Sequence, residues 1–547
     1  MKLTQYTLLG LAVLGLASCQ DINEQELLSG DQSTEQMLAT NEAIASRTEA
    51  TFTGMFTMMG EPAAIITTRK RADDFAFVMA ALSADVEGAD LWYPDNNYNW
   101  FSSCGEWSSR NPNYANPTIR YTAAYKQISI ANNIIKAYPE GTTDSTAQNR
   151  IAQARALRAF DYMSIAYFFQ FNYADHKDKP CVPIVTEKTA DATNNPRATV
   201  EEVYELVIED LNYACQVLEN YKPTNKNLVS GAVAYGLRAR AYLAMDKFAE
   251  AAADAEKAIN LCGLTPASIA DVSTPAFCDI NEKNWLWGYD MTTDMAKTYS
   301  NATISSWLSS FSGDGYAAGG GVYAHINELL YDKISDTDVR KGWWVNEDLH
   351  SPLLSTISWN GTTGDDIVPL LIKDVKMAMD AYTNVKFGMA SGIGSTQNDN
   401  DFPLMRVEEL ILIQAEGLAK SGNETRAKQI LSNFVKTYRD PAYDIDTQLA
   451  SRTLADEIWF QRRVELWGEG FATSDIMRLK KPVVRFHGDK ETTYPDAFRF
   501  NVAPDDLYKL LRFPETETDN NQAIVNNTGG SLPQSGQNPN LRDGVTD

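Results

Sequence analysis

Histidine and cysteine are scarce in this chain, and no long hydrophobic run follows its first nineteen residues. The four histidines (His176, His325, His350, His487) are scattered and lack the spacing of a metal site. Five cysteines remain after Cys19, and no two of them form a C-x-x-C pair. These absences argue against a zinc site, any other metal or cofactor, and a disulfide framework. A single bridge between some pair stays open outside the cytosol.

Basic residues are also fewer than acidic ones. The 547 residues carry 48 lysines and arginines against 72 aspartates and glutamates, a formal net charge of −24. Such a balance argues against nucleic acid or an anionic membrane surface as the main partner. Hydrophobic residues at 44% and charged residues at 22% are typical of a globular protein. Length alone suggests two to four compact units.

The N-terminus has the pattern of a secretory signal. Lys2 is followed by an apolar run at residues 8–17, which is shorter than the roughly 20 residues that span a bilayer. Cys19 follows Leu16-Ala17-Ser18, a triplet that resembles a bacterial lipoprotein box. We therefore predict a signal peptide at residues 1–18, lipidation of Cys19 and a polar tether over residues 19–36. An ordinary signal peptide with a chance cysteine is the alternative.

Helical periodicity dominates at about 40–262 and about 402–480. The clearest start is Thr199, where Glu202 completes a capping box before an apolar stripe. Small and aromatic residues then recur with the spacing of a tetratricopeptide helix pair: Ala239, Tyr242, Ala251 and Ala258, with a weaker echo at Ala415, Leu418 and Ala427. Residues of about 263–401 are rich in Gly, Ser, Asn and Asp. The predicted fold is mainly α, a tetratricopeptide-like helical repeat scaffold with a loop-rich insert carrying short strands.

Several motifs resemble the SusD/RagB family of outer-membrane nutrient-binding lipoproteins. They lie in family order at residues 199–204, 403–409, 462–466 and 475–478. The resemblance implies one SusD-like body over residues 37–547, lipid-anchored to the outer membrane and facing the cell exterior. It also implies that the protein binds oligosaccharides without chemistry of its own. It would deliver them to a TonB-dependent transporter of the SusC type.

Candidate sugar-binding residues are aromatic rings with neighbouring amides and carboxylates, because sugars have apolar faces and polar rims. The loop at residues 90–101 concentrates such groups, and its Asn and Pro content argues that its aromatics cannot all enter a helix-packed core. We expect the rings near position 92 to be open to solvent. The predicted site comprises Trp92, Tyr93, Asp95, Asn96 and Trp100, with Tyr289, Tyr299, Trp307 and Tyr316 from the insert; Asn97, Tyr98, Asn99, Tyr323, Trp343, Trp344 and Trp359 are weaker candidates. An aromatic minicore, or loop packing, is the alternative.

An enzyme would need paired acids, and Glu465 and Glu469 stand four apart on a predicted helix. A retaining glycosidase separates its carboxyl groups by roughly 5–5.5 Å. The neighbouring Arg462, Arg463 and Arg478 favour ion pairing instead, which would keep both acids ionised and remove the proton donor. We therefore predict no enzyme. A surface glycoside hydrolase and a helical-repeat adaptor for another protein remain the competing functions.

Overall fold

The computed structural model describes residues 45–96, 99–371, 377–488, 490 and 492–547. The predictions for the signal peptide, Cys19 and the tether lie outside these residues, as do those for Asn97 and Tyr98. Across the described ranges, every helix is either too short or too polar to cross a bilayer.

Most regular structure is helical. The α-helices of the described residues are α1 (Ala45–Thr57), α2 (Ala76–Glu87), α3 (Ser102–Gly105), α4 (Ala115–Lys136), α5 (Ser145–Phe169), α6 (Tyr173–His176), α7 (Val200–Leu218), α8 (Gly231–Ala244), α9 (Phe248–Cys262), α10 (Ile269–Val272), α11 (Thr293–Ala296), α12 (Ile304–Leu308), α13 (Tyr316–Gly320), α14 (Glu328–Tyr331), α15 (Val407–Lys420), α16 (Glu424–Tyr438), α17 (Ile445–Gln448), α18 (Leu454–Glu465), α19 (Ala472–Arg478) and α20 (Glu515–Thr518). The 3-10 helices are Met58–Gly60, Val339–Trp343, Pro352–Thr356, Gly364–Ile367, Asp496–Phe498 and Leu507–Lys509. The strands are β1 (Leu91–Trp92), β2 (Pro180–Pro183), β3 (Arg197–Thr199), β4 (Trp285–Tyr289), β5 (His325–Ile326), β6 (Ser358–Trp359), β7 (Thr362–Thr363) and β8 (Phe402–Arg406).

The long helices pack in succession, α4 on α5, α5 on α7, α7 on α8, α8 on α9, α9 on α15 and α15 on α16. Helix α7 begins at the predicted capping box: the Thr199 side chain accepts from the Glu202 amide, and the Glu202 carboxylate accepts from the Thr199 amide at 2.7 Å. The mainly α, repeat-like fold predicted from the sequence is confirmed.

Small residues let α8, α9 and α15 approach closely. Ala239, Ala251 and Ala255 are fully buried and meet Ile413 of α15. Gly417 faces α9 so tightly that a Cβ there would lie 2.5 Å from the Phe248 carbonyl oxygen. The alanine spacing recognised in the sequence therefore marks helix-to-helix contacts.

Two strand pairs join the loop-rich insert to the scaffold. Strand β4 pairs antiparallel with β8, and β1 pairs antiparallel with β5, so that Trp92 stands opposite His325. The region of about 402–480, predicted as helical, begins instead with strand β8, which pairs with β4. The main hydrophobic core includes residues from both scaffold and insert. The single body over residues 37–547 stays a prediction.

A buried ion cluster also links scaffold and insert. The Glu465 carboxylate accepts two hydrogen bonds of 2.8 Å from Arg439 and one of 3.2 Å from Arg340. Glu469 accepts from Arg406 at 2.8 and 2.9 Å, and from the Lys386 ammonium at 2.8 Å. We name Arg340, Lys386, Arg406, Glu408, Arg439, Glu465 and Glu469 the buried ion cluster.

The cluster corrects one detail of the sequence analysis. Ion pairing of Glu465 and Glu469 was expected with Arg462, Arg463 and Arg478. Arg462 instead pairs with Asp475, and Arg463 pairs with Asp90 and Asp543. Arg478 pairs with Glu416 and Asp475. The partners of Glu465 and Glu469 come from residues distant in sequence, which helical spacing cannot identify.

The C-terminal segment and the cysteines complete the fold. The last turn of the C-terminal segment is buried, where Asp543 binds the Arg463 guanidinium at 2.7 Å. The five described cysteines are all free: Cys104, Cys181 and Cys215 are buried, and Cys262 and Cys278 are half-buried.

Candidate functional site

The structure separates the predicted site residues by burial. Trp92, Tyr93, Tyr289 and Trp307 are 7%, 1%, 3% and 0% exposed. Asp95 and Trp100 are exposed, and Asn96, Tyr299 and Tyr316 are half-buried. The weaker candidates Asn99, Tyr323, Trp343, Trp344 and Trp359 are buried. Among the predicted site residues, a ligand could therefore contact only the exposed or half-buried ones: Asp95, Asn96, Trp100, Tyr299 and Tyr316.

The expectation that Trp92 lies open to solvent is wrong. Its ring stacks on His325 at a centroid distance of 4.0 Å and an angle of 8°, and it packs near Tyr494. The cause is the pairing of β1 with β5, which sets Trp92 directly against the insert. Tyr289 is covered in a similar way, because its ring packs against the backbone at Gly60.

Tyr93 and Trp307 form the base beneath the exposed group. The Trp307 indole N–H donates to the Ala72 carbonyl at 2.9 Å, and the Tyr93 hydroxyl donates to the Trp307 carbonyl at 3.1 Å. Phe101 packs edge-on against Trp307, with ring centroids 4.9 Å apart. Three segments that are distant in sequence are thereby fixed together.

Above this base lies a group of accessible rings, Trp100, Tyr299 and Tyr316, which we name the surface cluster. Tyr316 stacks on Trp307 at 4.2 Å and 8°, so one face of its ring is covered. Trp100 is 37% exposed, and its side chain lies close to the Tyr316 hydroxyl. Partial burial raises the pKa of the Tyr316 hydroxyl, and the nearby Trp100 side chain opposes that rise. Tyr316 therefore presents a neutral hydroxyl at neutral pH.

Two cations border the surface cluster, and the sequence analysis missed both. The Arg71 guanidinium lies 5.0 Å from the Trp100 ring centroid and binds Asp73 through two hydrogen bonds of 2.8 Å. The Lys70 ammonium donates to the Thr298 carbonyl at 2.7 Å and lies 5.9 Å from the Tyr299 ring. Both distances are within the range of cation–π contacts. Both cations belong to a run of consecutive basic residues, and that run was the sequence signal that could have identified them.

Buried amides position the loops that carry the rings. Asn99 donates to the Pro94 carbonyl at 3.0 Å and accepts from the Phe101 amide at 2.8 Å, which closes the loop before Trp100. Asn398 donates to the carbonyls of Ser300 and Asp314, at 3.0 and 3.1 Å. Asn398 thus joins the segments bearing Tyr299 and Tyr316, a role that no sequence pattern indicated.

Gly315 permits the tight turn before Tyr316. A Cβ at this position would lie 2.8 Å from the Ser306 carbonyl oxygen, closer than real side chains allow. The Ser306 hydroxyl accepts from the Tyr316 amide at 3.1 Å. This close approach holds the Tyr316 ring over Trp307.

Other features of the described residues suit a sugar ligand less well than the surface cluster does. A cavity of about 140 Å³ is lined mainly by apolar groups, among them Phe160, Tyr204 and Phe471. Within the described ranges, no group of three or more His, Cys, Asp or Glu side chains could hold a metal ion. The surface cluster is therefore the better candidate.

Comparisons with known proteins give a family and a fold. Residues 31–243 match a SusD-like family described as starch-binding and associating with the outer membrane, and residues 361–529 match the SusD family. A search of curated proteins returned no match. The resemblance found in the sequence motifs is confirmed.

Solved structures share the architecture. A SusD-like carbohydrate binding protein from Bacteroides vulgatus is 23% identical, with 88% of this chain and 97% of that chain covered at a TM-score of 0.68. Surface glycan-binding protein A from Bacteroides uniformis is 17% identical, with coverages of 88% and 99% and a TM-score of 0.60. A laminarin binding SusD-like protein is 16% identical, with coverages of 88% and 99% and a TM-score of 0.59. Identities this low establish the fold alone.

Proposed function

Since this chain belongs to the SusD-like family, whose two matches together cover more than half of its residues, we propose that it is a cell-surface lipoprotein that binds oligosaccharides. It would hand them to a TonB-dependent transporter in the outer membrane without cleaving them. The observation that carries the proposal is the surface cluster, where accessible rings of Trp100, Tyr299 and Tyr316 meet polar groups.

The chemistry of the surface cluster suits a sugar. Pyranose rings have apolar faces that stack on aromatic rings, and their hydroxyl rims need donors and acceptors beside the stack. Trp100 offers an exposed indole, and Tyr316 offers a hydroxyl with a raised pKa. Asp95 and Asn96, on the same loop as Trp100, are exposed and half-buried, respectively. Two structural neighbours, one a laminarin binding protein and one a surface glycan-binding protein, agree with this ligand class.

The state of Glu465 supports binding without turnover. Burial pushes the pKa of Glu465 upward, but the guanidinium groups of Arg439, Arg406 and Arg340 outweigh it and hold the pKa well below its usual range. A glycosidase needs a protonated carboxyl as general acid. Glu465 is also 0% exposed, so no glycosidic bond can reach it.

Binding without hydrolysis is the test of this function. We expect the purified protein to bind at least one oligosaccharide on an array spanning plant, microbial and mucin glycans, with no new reducing ends after prolonged incubation. Reducing ends that accumulate, and that disappear in the Glu465→Gln variant, would instead favour the glycoside hydrolase. A complete lack of glycan binding together with co-purification of a transporter would favour the adaptor.

The lipid anchor is the second part of the proposal, and it depends on Cys19 in the sequence motif. We expect Cys19→Ala to abolish metabolic labelling with palmitate and to move the protein from the membrane pellet to the soluble fraction, because the lipid supplies the membrane affinity. Cys278→Ala is the matched control, since it removes a half-buried thiol from the folded body and should leave both properties unchanged. Persistent labelling of the Cys19→Ala protein would contradict the anchor.

A further inference from the structure

Arg69, Lys70 and Arg71 form the one run of three consecutive cations in the sequence. The run is unusual because acidic residues outnumber basic ones by 72 to 48 across the chain. Because the net charge is strongly negative, most of the surface repels anions. A short basic segment can therefore attract an anion only in its own neighbourhood. The run lies in the segment between α1 and α2.

The three cations differ in how far their charge is already compensated. Arg71 forms a two-point ion pair with Asp73, so little of its charge remains for a ligand. Lys70 binds a carbonyl and faces the Tyr299 ring, neither of which neutralises an ammonium. Arg69 is exposed and, within the described residues, makes no ion pair or hydrogen bond. One uncompensated positive charge, on Lys70, therefore lies beside the surface cluster, and the exposed Arg69 precedes it directly in the chain.

From this juxtaposition we infer that the surface cluster takes anionic glycans, whose sugars carry carboxylate or sulfate groups. The inference rests on the proposed function and names the ligand class of the same site. Rings of Trp100 and Tyr316 would stack on sugar faces while Arg69 and Lys70 bind the anionic substituent. Guanidinium groups bind carboxylates and sulfates through two parallel hydrogen bonds, which are about twice as strong as neutral ones. Asp95 and Asp314 are also exposed near these rings and would disfavour an anion on their side. The anionic group is therefore oriented toward Arg69 and Lys70.

The experiment compares glycans that differ only in charge. Titration calorimetry would measure oligogalacturonate against its methyl ester, and chondroitin sulfate oligosaccharides against chemically desulfated chondroitin. Neutral laminarin oligosaccharides complete the panel. At least one charged member should bind about tenfold more tightly than its uncharged counterpart, the effect of one charge-assisted hydrogen-bonded contact. The pair that shows the difference identifies carboxylate or sulfate as the recognised group.

Variants test the residues. Arg69→Gln should weaken binding of the charged glycan about five- to tenfold, and Arg69→Lys should weaken it less, because the charge is kept while the two parallel hydrogen bonds are lost. Arg69→Gln with Lys70→Gln should remove the preference for the charged form. The matched control is Arg426→Gln with Lys436→Gln, which deletes the same charge from the exposed face of α16. Thermal unfolding of each variant would verify folding.

These experiments distinguish a failure of the anionic ligand class from a failure of the proposed function. Equal affinity for charged and uncharged partners, or unchanged binding by the Arg69 and Lys70 variants, would overturn the anionic ligand class while glycan binding stands. If no glycan in the panel or on the array binds the native protein, the proposed function fails and the anionic preference fails with it. If the control pair weakens binding as much as the Arg69–Lys70 pair, the effect is one of net charge and the local site is refuted.

Discussion

Replacing Trp100 with alanine is expected to weaken glycan binding by about thirtyfold, the effect of removing an interface tryptophan that contributes about 2 kcal/mol. Trp100 has the most exposed ring of the surface cluster, at 37%. The free energy of unfolding should change little, because much of the indole already contacts water in the free protein. Calorimetry with a glycan identified on the array, together with thermal unfolding, would measure both quantities.

Two further variants separate ligand contact from packing. Trp92→Ala should lower the free energy of unfolding by about 3–5 kcal/mol, since the ring is buried on His325. Tyr114→Ala removes a ring that is 41% exposed and lies outside the surface cluster, and it should affect neither binding nor stability. Native affinity in the Trp100→Ala protein would show that the glycan binds elsewhere.

The fold was predictable where its signals are local. A capping box is complete within four residues, and the alanine spacing of α8 and α9 reports a contact between neighbours in sequence. Strand β8 was predicted as helix because its identity depends on pairing with β4, more than a hundred residues earlier. The buried C-terminal turn depends likewise on a distant partner, Arg463.

The candidate site was predictable only in part, for the same physical reason. Trp92 and Trp100 are eight residues apart in one loop and look equivalent in the sequence. Pairing with His325 buries the first, while the closed loop at Asn99 leaves the second exposed. Which ring of a loop faces solvent is thus decided by tertiary contacts. The positioning role of Asn398 had no local signal, whereas the basic run at Arg71 was visible and its meaning required the contact with Trp100.

The buried ion cluster leads to an expected effect on stability as large as that of Trp92→Ala. Glu465→Gln should lower the free energy of unfolding by about 3–5 kcal/mol, because it removes one of two carboxylates from each of two buried guanidinium groups. Arg340 would then keep only Asp338, and Arg439 only Glu408. The loss should appear as a lower urea midpoint at pH 7, with an unchanged slope. The exposed pair of Glu201 with Lys177 offers a matched control, since Glu201→Gln makes the same chemical change at the surface and should leave the midpoint unmoved.

The stability lost in Glu465→Gln should depend on pH, in a direction set by the pKa of Glu465. The pKa of Glu465 is depressed in the folded protein, so the carboxylate stabilises the fold fully above the unfolded pKa of about 4.3 and loses that contribution as the pH falls toward the folded value. The difference between native protein and Glu465→Gln should therefore be constant from pH 7 to about 5 and narrow below about 4. A difference that widens on acidification would contradict the depressed pKa of Glu465. A variant as stable as the native protein at pH 7 would mean that Asp338, Glu408 and Glu469 alone compensate the arginines. The link between scaffold and insert would then depend on the strand pairs and the apolar core.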